Sequence, residues 1–257
     1  MVTENSLDKT IIYTTDNQMS PALMELCQRW LRKNSCGCPI ISAALGSPVD
    51  FGDERLFVEG MPRSGITLDV QLLMAARKVK TKWVMLAEHD CLYTEEHVRW
   101  TPPDVENFFY NDNDWFLQWA NPAHPEMDGM YSYTPHRKVQ SQLVCSAEAY
   151  LRAMEEKVEL VTNPAWARKY TSGRLAEPGC CDRDKTLLLL RPKSVRFMTD
   201  AIMHYVDTYK CIEFKTKLPN IDVRHSNNYT GPHRGKKRCH SLEPWGTMEE
   251  IIANASI

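Results

Sequence analysis

A chain of 257 residues, 43% apolar and 25% charged, is long enough to bury one substantial core. Its net charge of −2 argues against a strongly basic protein, and its apolar runs, Leu187–Leu190 among them, are far too short to cross a bilayer. The polar start MVTENSLDKT lacks the apolar stretch of a secretory signal, so a cytoplasmic setting with nine reduced cysteines is expected, not a disulfide framework.

Lys9–Thr15 is rich in β-branched residues and reads as a first strand closing on Asp16-Asn17. Ser20-Pro21 then starts a helix, with the hydroxyl as cap and Leu23, Leu26, Cys27, Trp30 and Leu31 on one apolar face. Asn34–Pro39 breaks the helix and Ile40–Leu45 makes a second buried strand, which completes a βαβ unit and predicts a parallel sheet. After the short run Leu56–Val58, the loop Gly60–Gly65 leads into a helix from about Ile66 to Val79. Arg63 and Ser64 precede that helix's N-terminus, where backbone donors favour an anion.

Trp83–Cys91 is the stretch around which the chain is organised. Its apolar run predicts a strand buried on both faces, ending in Glu88-His89-Asp90. In an extended chain Glu88 and Asp90 leave the same face, where they can share a divalent cation at the carboxyl edge of a sheet. Thr94 caps a short helical turn. The aromatic stretch Asn107–Trp119 reads as two short strands around Asn111–Asp114, with its rings in the core. That turn lacks the glycine and terminal Glu of a calcium loop. Val139–Cys145 is a further strand and Ser146 caps a helix to about Leu160. Asn163–Asp184 has little periodicity, Leu187–Leu190 is a strand or a helix, and a helix follows from about Ser194 to Tyr209.

From Lys210 to Arg238 eight Lys/Arg face only Glu213 and Asp222, a local charge near +6 and the one place where the chain could meet a polyanion. Within it Arg224, His225, Asn227 and Asn228 are polar donors ahead of the Gly231-Pro232 turn, as in a phosphate-facing lid. Cys36-Gly37-Cys38, Cys180-Cys181 and Cys239-His240 lack the spacing of structural zinc.

With these residues in order, Lys9–Tyr93 resembles the nucleotide-sugar-binding half of GT-A-type glycosyltransferases. The resemblance implies an α/β fold: one domain over 1–257 with a Rossmann-type mixed sheet flanked by helices, about 9–93 for the donor, about 94–257 irregular and acceptor-facing. It implies a metal-dependent transferase in which Glu88, Asp90 and His225 hold Mn²⁺ or Mg²⁺ against a nucleoside-diphosphate sugar. Asp16 would lie near the base of the nucleotide, with Arg63 and Arg224 at the diphosphate; Glu177 and Asp182 are the candidate bases. Among such proteins a short chain with a basic tail resembles phage-type enzymes acting on hydroxymethylated DNA bases, so DNA is the first acceptor and a saccharide or lipid-linked acceptor the alternative. Two other classes stay open: a nucleotidyltransferase that makes sugar nucleotides, although Thr14–Asn17 is not its Gly-rich loop, and a nucleic-acid-binding module resting on the basic tail.

Overall fold

Strand β1 (Lys9–Thr15) is buried along its whole length and is an interior strand of its sheet. A computed structural model describes residues 7–120, 122, 124–164, 178, 196–228 and 235–255. In it β1 leads through α1 (Pro21–Asn34) to β2 (Ile40–Leu45), then β3 (Glu54–Val58), α2 (Gly65–Ala76) and β4 (Trp83–Glu88). Strands β1 to β4 are mutually parallel in the spatial order β3-β2-β1-β4. The later chain extends that sheet with β9 (Leu143–Ser146), antiparallel to β4, then β6 (Phe108–Asn111) and β10 (Cys211–Phe214). The result is a seven-stranded mixed sheet flanked by helices, the α/β class expected.

Alternation explains the layers. Ile12, Ile41, Val84 and Leu86 face α2, α4 (Ala147–Thr162) and α5 (Arg196–Thr208), packing on Leu72, Tyr150, Met154 and Tyr205. Their neighbours Ile11, Tyr13, Met85 and Ala87 face the other way, onto Leu31 of α1, Phe51, Tyr93 and Val98. Asp69 of α2 and Lys157 of α4 pair at 2.9 Å with both side chains fully buried, fixing the two helices to each other. Truncating one partner of such a pair costs about 3–5 kcal/mol, because the other charge stays buried.

A second sheet has the order β12-β8-β7-β11-β5, from β5 (Cys91–Leu92), β7 (Asp114–Gln118), β8 (Tyr131–Tyr133), β11 (Asn220–Arg224) and β12 (Lys237–Cys239). Its apolar residues Leu92, Leu117, Ile221 and Val223 pack on Leu23 and Cys27 of α1 and Ile251 of α6 (Met248–Asn254). Two of the passages from the first sheet to the second, from β6 to β7 and from β10 to β11, run side by side. Asn113 donates to the carbonyls of Thr216 and Lys217, and Asn111 to the Thr216 hydroxyl, so these turn residues hold the crossings together.

Several boundaries differ from expectation. Ser20 makes no side-chain cap, and Pro21 alone supplies the helix-start geometry. Helix α2 stops at Ala76, and Lys78 and Val79 close a tight turn onto Ala75 and Ala76. Gln140–Gln142 forms a 3₁₀ turn ahead of β9 because Gln142 reaches Asp114 and Asn220 with its amide. The caps at Thr94, on the short helix α3 (Glu95–Arg99), and at Ser146 are made as expected, accepting from the amides of His97 and Ala149. Leu187–Leu190 lies outside the described residues.

His97 of α3 is fully buried, stacked on Phe214 at 5.8 Å, with Nδ1 3.2 Å from Asn111 Nδ2. Burial, and then the Lys9 ammonium, push its pKa from the ordinary 6.5 down to about 3. Between those values the unfolded chain binds the extra proton. The stability that neutral His97 contributes is therefore fully present above the unfolded pKa and lost as pH falls toward the folded one. His97→Gln keeps an amide partner and removes the titration. Its unfolding free energy in urea should fall less steeply than wild type from about pH 6 to about pH 4; parallel slopes would contradict the assignment.

Candidate active site

The chain leaves β1 on the side of β2 and returns from β3 to β4 on the other. Helix α1 lies against one face of the sheet and α2 against the opposite one. The carboxyl ends of β1 and β4 thus form a topological switch point, the place where open α/β sheets bind ligands. Asp16 and Asn17 follow β1; Asn17 takes a left-handed φ of 58° and its amide donates to the carbonyls of Leu45 and Ser47. Glu88 ends β4, and its amide donates to the Tyr93 hydroxyl at 3.0 Å.

Beyond Glu88 the chain turns at His89-Asp90 instead of continuing extended. The turn is held by the second sheet: Val223 N–H donates to the Asp90 carbonyl at 2.7 Å, and Cys91 pairs with Asp222. Strand β11 therefore delivers the residues after Arg224 to Asp90. Asn228 Nδ2 donates to Asp90 Oδ2 at 2.7 Å, and its Oδ1 accepts from the His225 amide at 2.5 Å. Asn227 Nδ2 reaches the Gln18 carbonyl at 2.8 Å. Arg63, from the loop before α2, donates from Nε to Asp16 Oδ2 at 2.5 Å and from Nη2 to the Asn227 carbonyl at 2.9 Å. His89 Nε2 lies 3.8 Å from Asp16 Oδ1.

Asp16, Arg63, Asp90 and His225 are thus brought to one place from four distant stretches. His89, Asp90 and His225 offer donor atoms within 4.8 Å of one another, and Glu88, Asp90 and Cys91 form a second such group sharing Asp90. His225 is buried and its Nε2 has no hydrogen-bond partner. Burial, reinforced by the nearby His89 and Arg63, lowers its pKa against the pull of Asp90 and Asp16, so the ring is held neutral, the form that ligates metals. Its Nδ1 accepts from the Asn227 amide at 3.3 Å. A cation on Nε2 would need the ring proton on Nδ1, so ligation and the conformation of residues 225–228 are linked. Two imidazoles and a carboxylate suit Mn²⁺ and later first-row ions better than Mg²⁺.

Arg224 is buried against Asp222, at 2.5 Å, with its guanidinium 4.6 Å from the Phe116 ring centroid, on the second sheet's inner face and within electrostatic reach of Asp90. Glu177 and Asp182 fall outside the described residues. His89 was not expected as a ligand: it would point away from Asp90 in an extended strand, and only the turn brings it back. Asn228, expected among the polar donors of this tail, is bonded to a residue 138 positions away.

No family model matches the chain, and no curated protein does. Solved structures with similar folds include a glycosyltransferase involved in the glycosylation of the major capsid of PBCV-1, at 9% identity and a TM-score of 0.42, over 96% of this chain and 98% of that one. Another is the apo-form glycosyltransferase GlyE of Streptococcus pneumoniae TIGR4, at 9% identity and a TM-score of 0.41, over 79% of this chain and 44% of that one. At this distance neither likeness speaks to activity or substrate, and the chemistry is read from the switch-point residues themselves. Among the described residues, no helix is long and apolar enough to cross a membrane.

Asn228→Ala removes the bonds to Asp90 and to the His225 amide. The expected cost is about 1 kcal/mol, with faster amide exchange in residues 225–228 and unchanged protection in β1 and β4. Equal exchange in that loop would show that Asn228 does not hold it.

Proposed function

We propose that this chain is a metal-dependent glycosyltransferase that moves a sugar from a nucleoside diphosphate to an acceptor hydroxyl. The observation that carries the reading is the convergence of Asp90, His89 and His225, with Arg63 and Asp16 beside them, on the switch point between β1 and β4. Glu88, Asp90, His89 and His225 are the residues that would hold the cation, and the partnerless Nε2 of buried His225 fits that role. A bound Mn²⁺ would supply Lewis-acid stabilisation of the departing diphosphate. Arg63 adds a guanidinium for the same developing charge, once it exchanges Asp16 for phosphate oxygens. Asp16 is then left facing the base and ribose of the nucleotide. If the reaction inverts, Glu177 or Asp182 would take the acceptor proton.

The acceptor we place with this reading is a 5-hydroxymethylpyrimidine in DNA. It is supported by Lys236, Lys237 and Arg238, which lie exposed at and beside the edge strand β12. Binding should then weaken as salt rises, by a log–log slope near one per phosphate contact. Digested hydroxymethylated DNA should carry the mass of the added sugar. Glycosylation of saccharides alone would remove DNA as the acceptor while leaving the transferase in place.

For the transferase itself, Asp90→Asn keeps the shape and removes the charge. Calorimetry with a panel of nucleoside diphosphates should show Mn²⁺-dependent binding in wild type that the variant loses by about tenfold or more. Sugar transfer should fall by about two orders of magnitude or more with the fold intact. Full turnover in Asp90→Asn, or in excess chelator, would overturn the assignment.

A further inference from the structure

At the centre of the second sheet, in β7 and β11, both faces are largely buried, and only one of them is apolar. Opposite Leu117, Ile221 and Val223, alternation sets Asp114, Phe116 and Gln118 of β7 in register with Asn220, Asp222 and Arg224 of β11. Ser132 of β8 and Cys91 of β5 continue this strip. Apart from Phe116 and Cys91 it is polar or charged, yet every member is buried. A polar strip of this kind is costly to bury unless its groups find partners.

Much of the strip is internally satisfied. Asn220 Nδ2 donates to Gln142 Oε1 at 2.7 Å, Gln142 Nε2 donates to Asp114 Oδ1 at 3.1 Å, and Arg224 pairs with Asp222. Asp114 Oδ2, on a residue only 3% exposed, and Nη1 of Arg137 make no hydrogen bond, although the two side chains lie in each other's field and in that of Asp222. The Arg137 guanidinium lies 3.9 Å from the centroid of the Phe116 ring, the residue between Asp114 and Gln118 on this face. Asp222, at the middle of the strip, is the register partner of Cys91, which directly follows Asp90. The Phe116 ring is itself covered by the Arg137 and Arg224 guanidinium groups, and the acceptor and donor left over beside it, next to the proposed diphosphate site, match the alternating hydroxyls of a sugar ring.

We infer that this polar face is the floor of a carbohydrate subsite, in which Asp114 and Arg137 bond hydroxyls of a pyranose and set its specificity. For the source of the pyranose the inference rests on the transferase reading: the sugar is that of the donor. A free saccharide has the same chemistry and is the other source to be tested. A site built to bond hydroxyls discriminates sharply among sugars, because an epimer leaves its buried groups unpaired.

The test uses the full chain with Mn²⁺ and compares nucleoside diphosphates with the matching nucleotide sugars by calorimetry. Methyl pyranosides are examined in parallel by saturation-transfer NMR. Asp114→Asn and Arg137→Met are the variants, each checked for fold by circular dichroism and thermal unfolding. Both should bind nucleoside diphosphate within about twofold of wild type and lose about tenfold or more of the sugar-dependent affinity. Pyranoside signals that vanish in the variants would assign the subsite to a free saccharide instead. If wild type binds pyranosides in this Asp114-dependent way but no nucleoside diphosphate, the subsite stands and the transferase reading falls. Sugar-dependent binding that both folded variants retain, or no pyranoside contact of either kind in wild type, would overturn the inference and leave the strip a structural polar core.

Discussion

The structure depends most on one backbone hydrogen bond, from the Val223 amide to the Asp90 carbonyl at 2.7 Å. It locks the turn after β4 to the end of β11, more than a hundred residues later in the chain. Without it the strand would run on past Glu88, and His89 and Asp90 would point to opposite sides. With it, three side chains from two sheets offer their donor atoms to one point, and the loop after Arg224 closes over Asp90. The two sheets thus meet where the acidic strand end lies.

That joint explains why the second sheet is parallel at its centre. Strands β7 and β11 each follow a strand of the first sheet, β6 and β10, which are themselves parallel neighbours. Both crossings keep their direction, the longer second one shifting the register, and the Asn111 and Asn113 amides bond the second crossing to the first. An amide bonded to a buried backbone carbonyl has few equivalent replacements, so the asparagines of this turn act as structural joints. The same geometry sends one polar face of the second sheet inward, toward Asp90, and its apolar face outward, onto α1 and α6.

Much of the first sheet was legible from local pattern. The β-branched run of β1, the proline at the start of α1, the apolar run of β4 and the caps at Thr94 and Ser146 are signals within a few residues of the structure they specify. So was the placing of Asp16 and Glu88 at the ends of neighbouring strands, since each closes a buried run. The pairing of β7 with β11 was not legible, because its partners are about a hundred residues apart and both strands are short. The turn at His89-Asp90 was hidden for the same reason: the bond that makes it comes from Val223. Arg224 illustrates the limit from the other side. Its place beside His225 is read from the sequence, whereas its pairing with Asp222 and its contact with Phe116 come from the alternation of β11.

The central claim is that His89, Asp90 and His225 hold one cation that also meets a nucleoside diphosphate. Pulsed EPR on the Mn²⁺-loaded chain tests this most directly, since it reports the nuclei bound to the metal, whatever the turnover. The account predicts nitrogen couplings from two imidazoles, one lost in His89→Ala and the other in His225→Ala, and a phosphorus coupling that appears when nucleoside diphosphate is added. A Mn²⁺ spectrum with no imidazole coupling, or one that no nucleoside diphosphate alters, would contradict it.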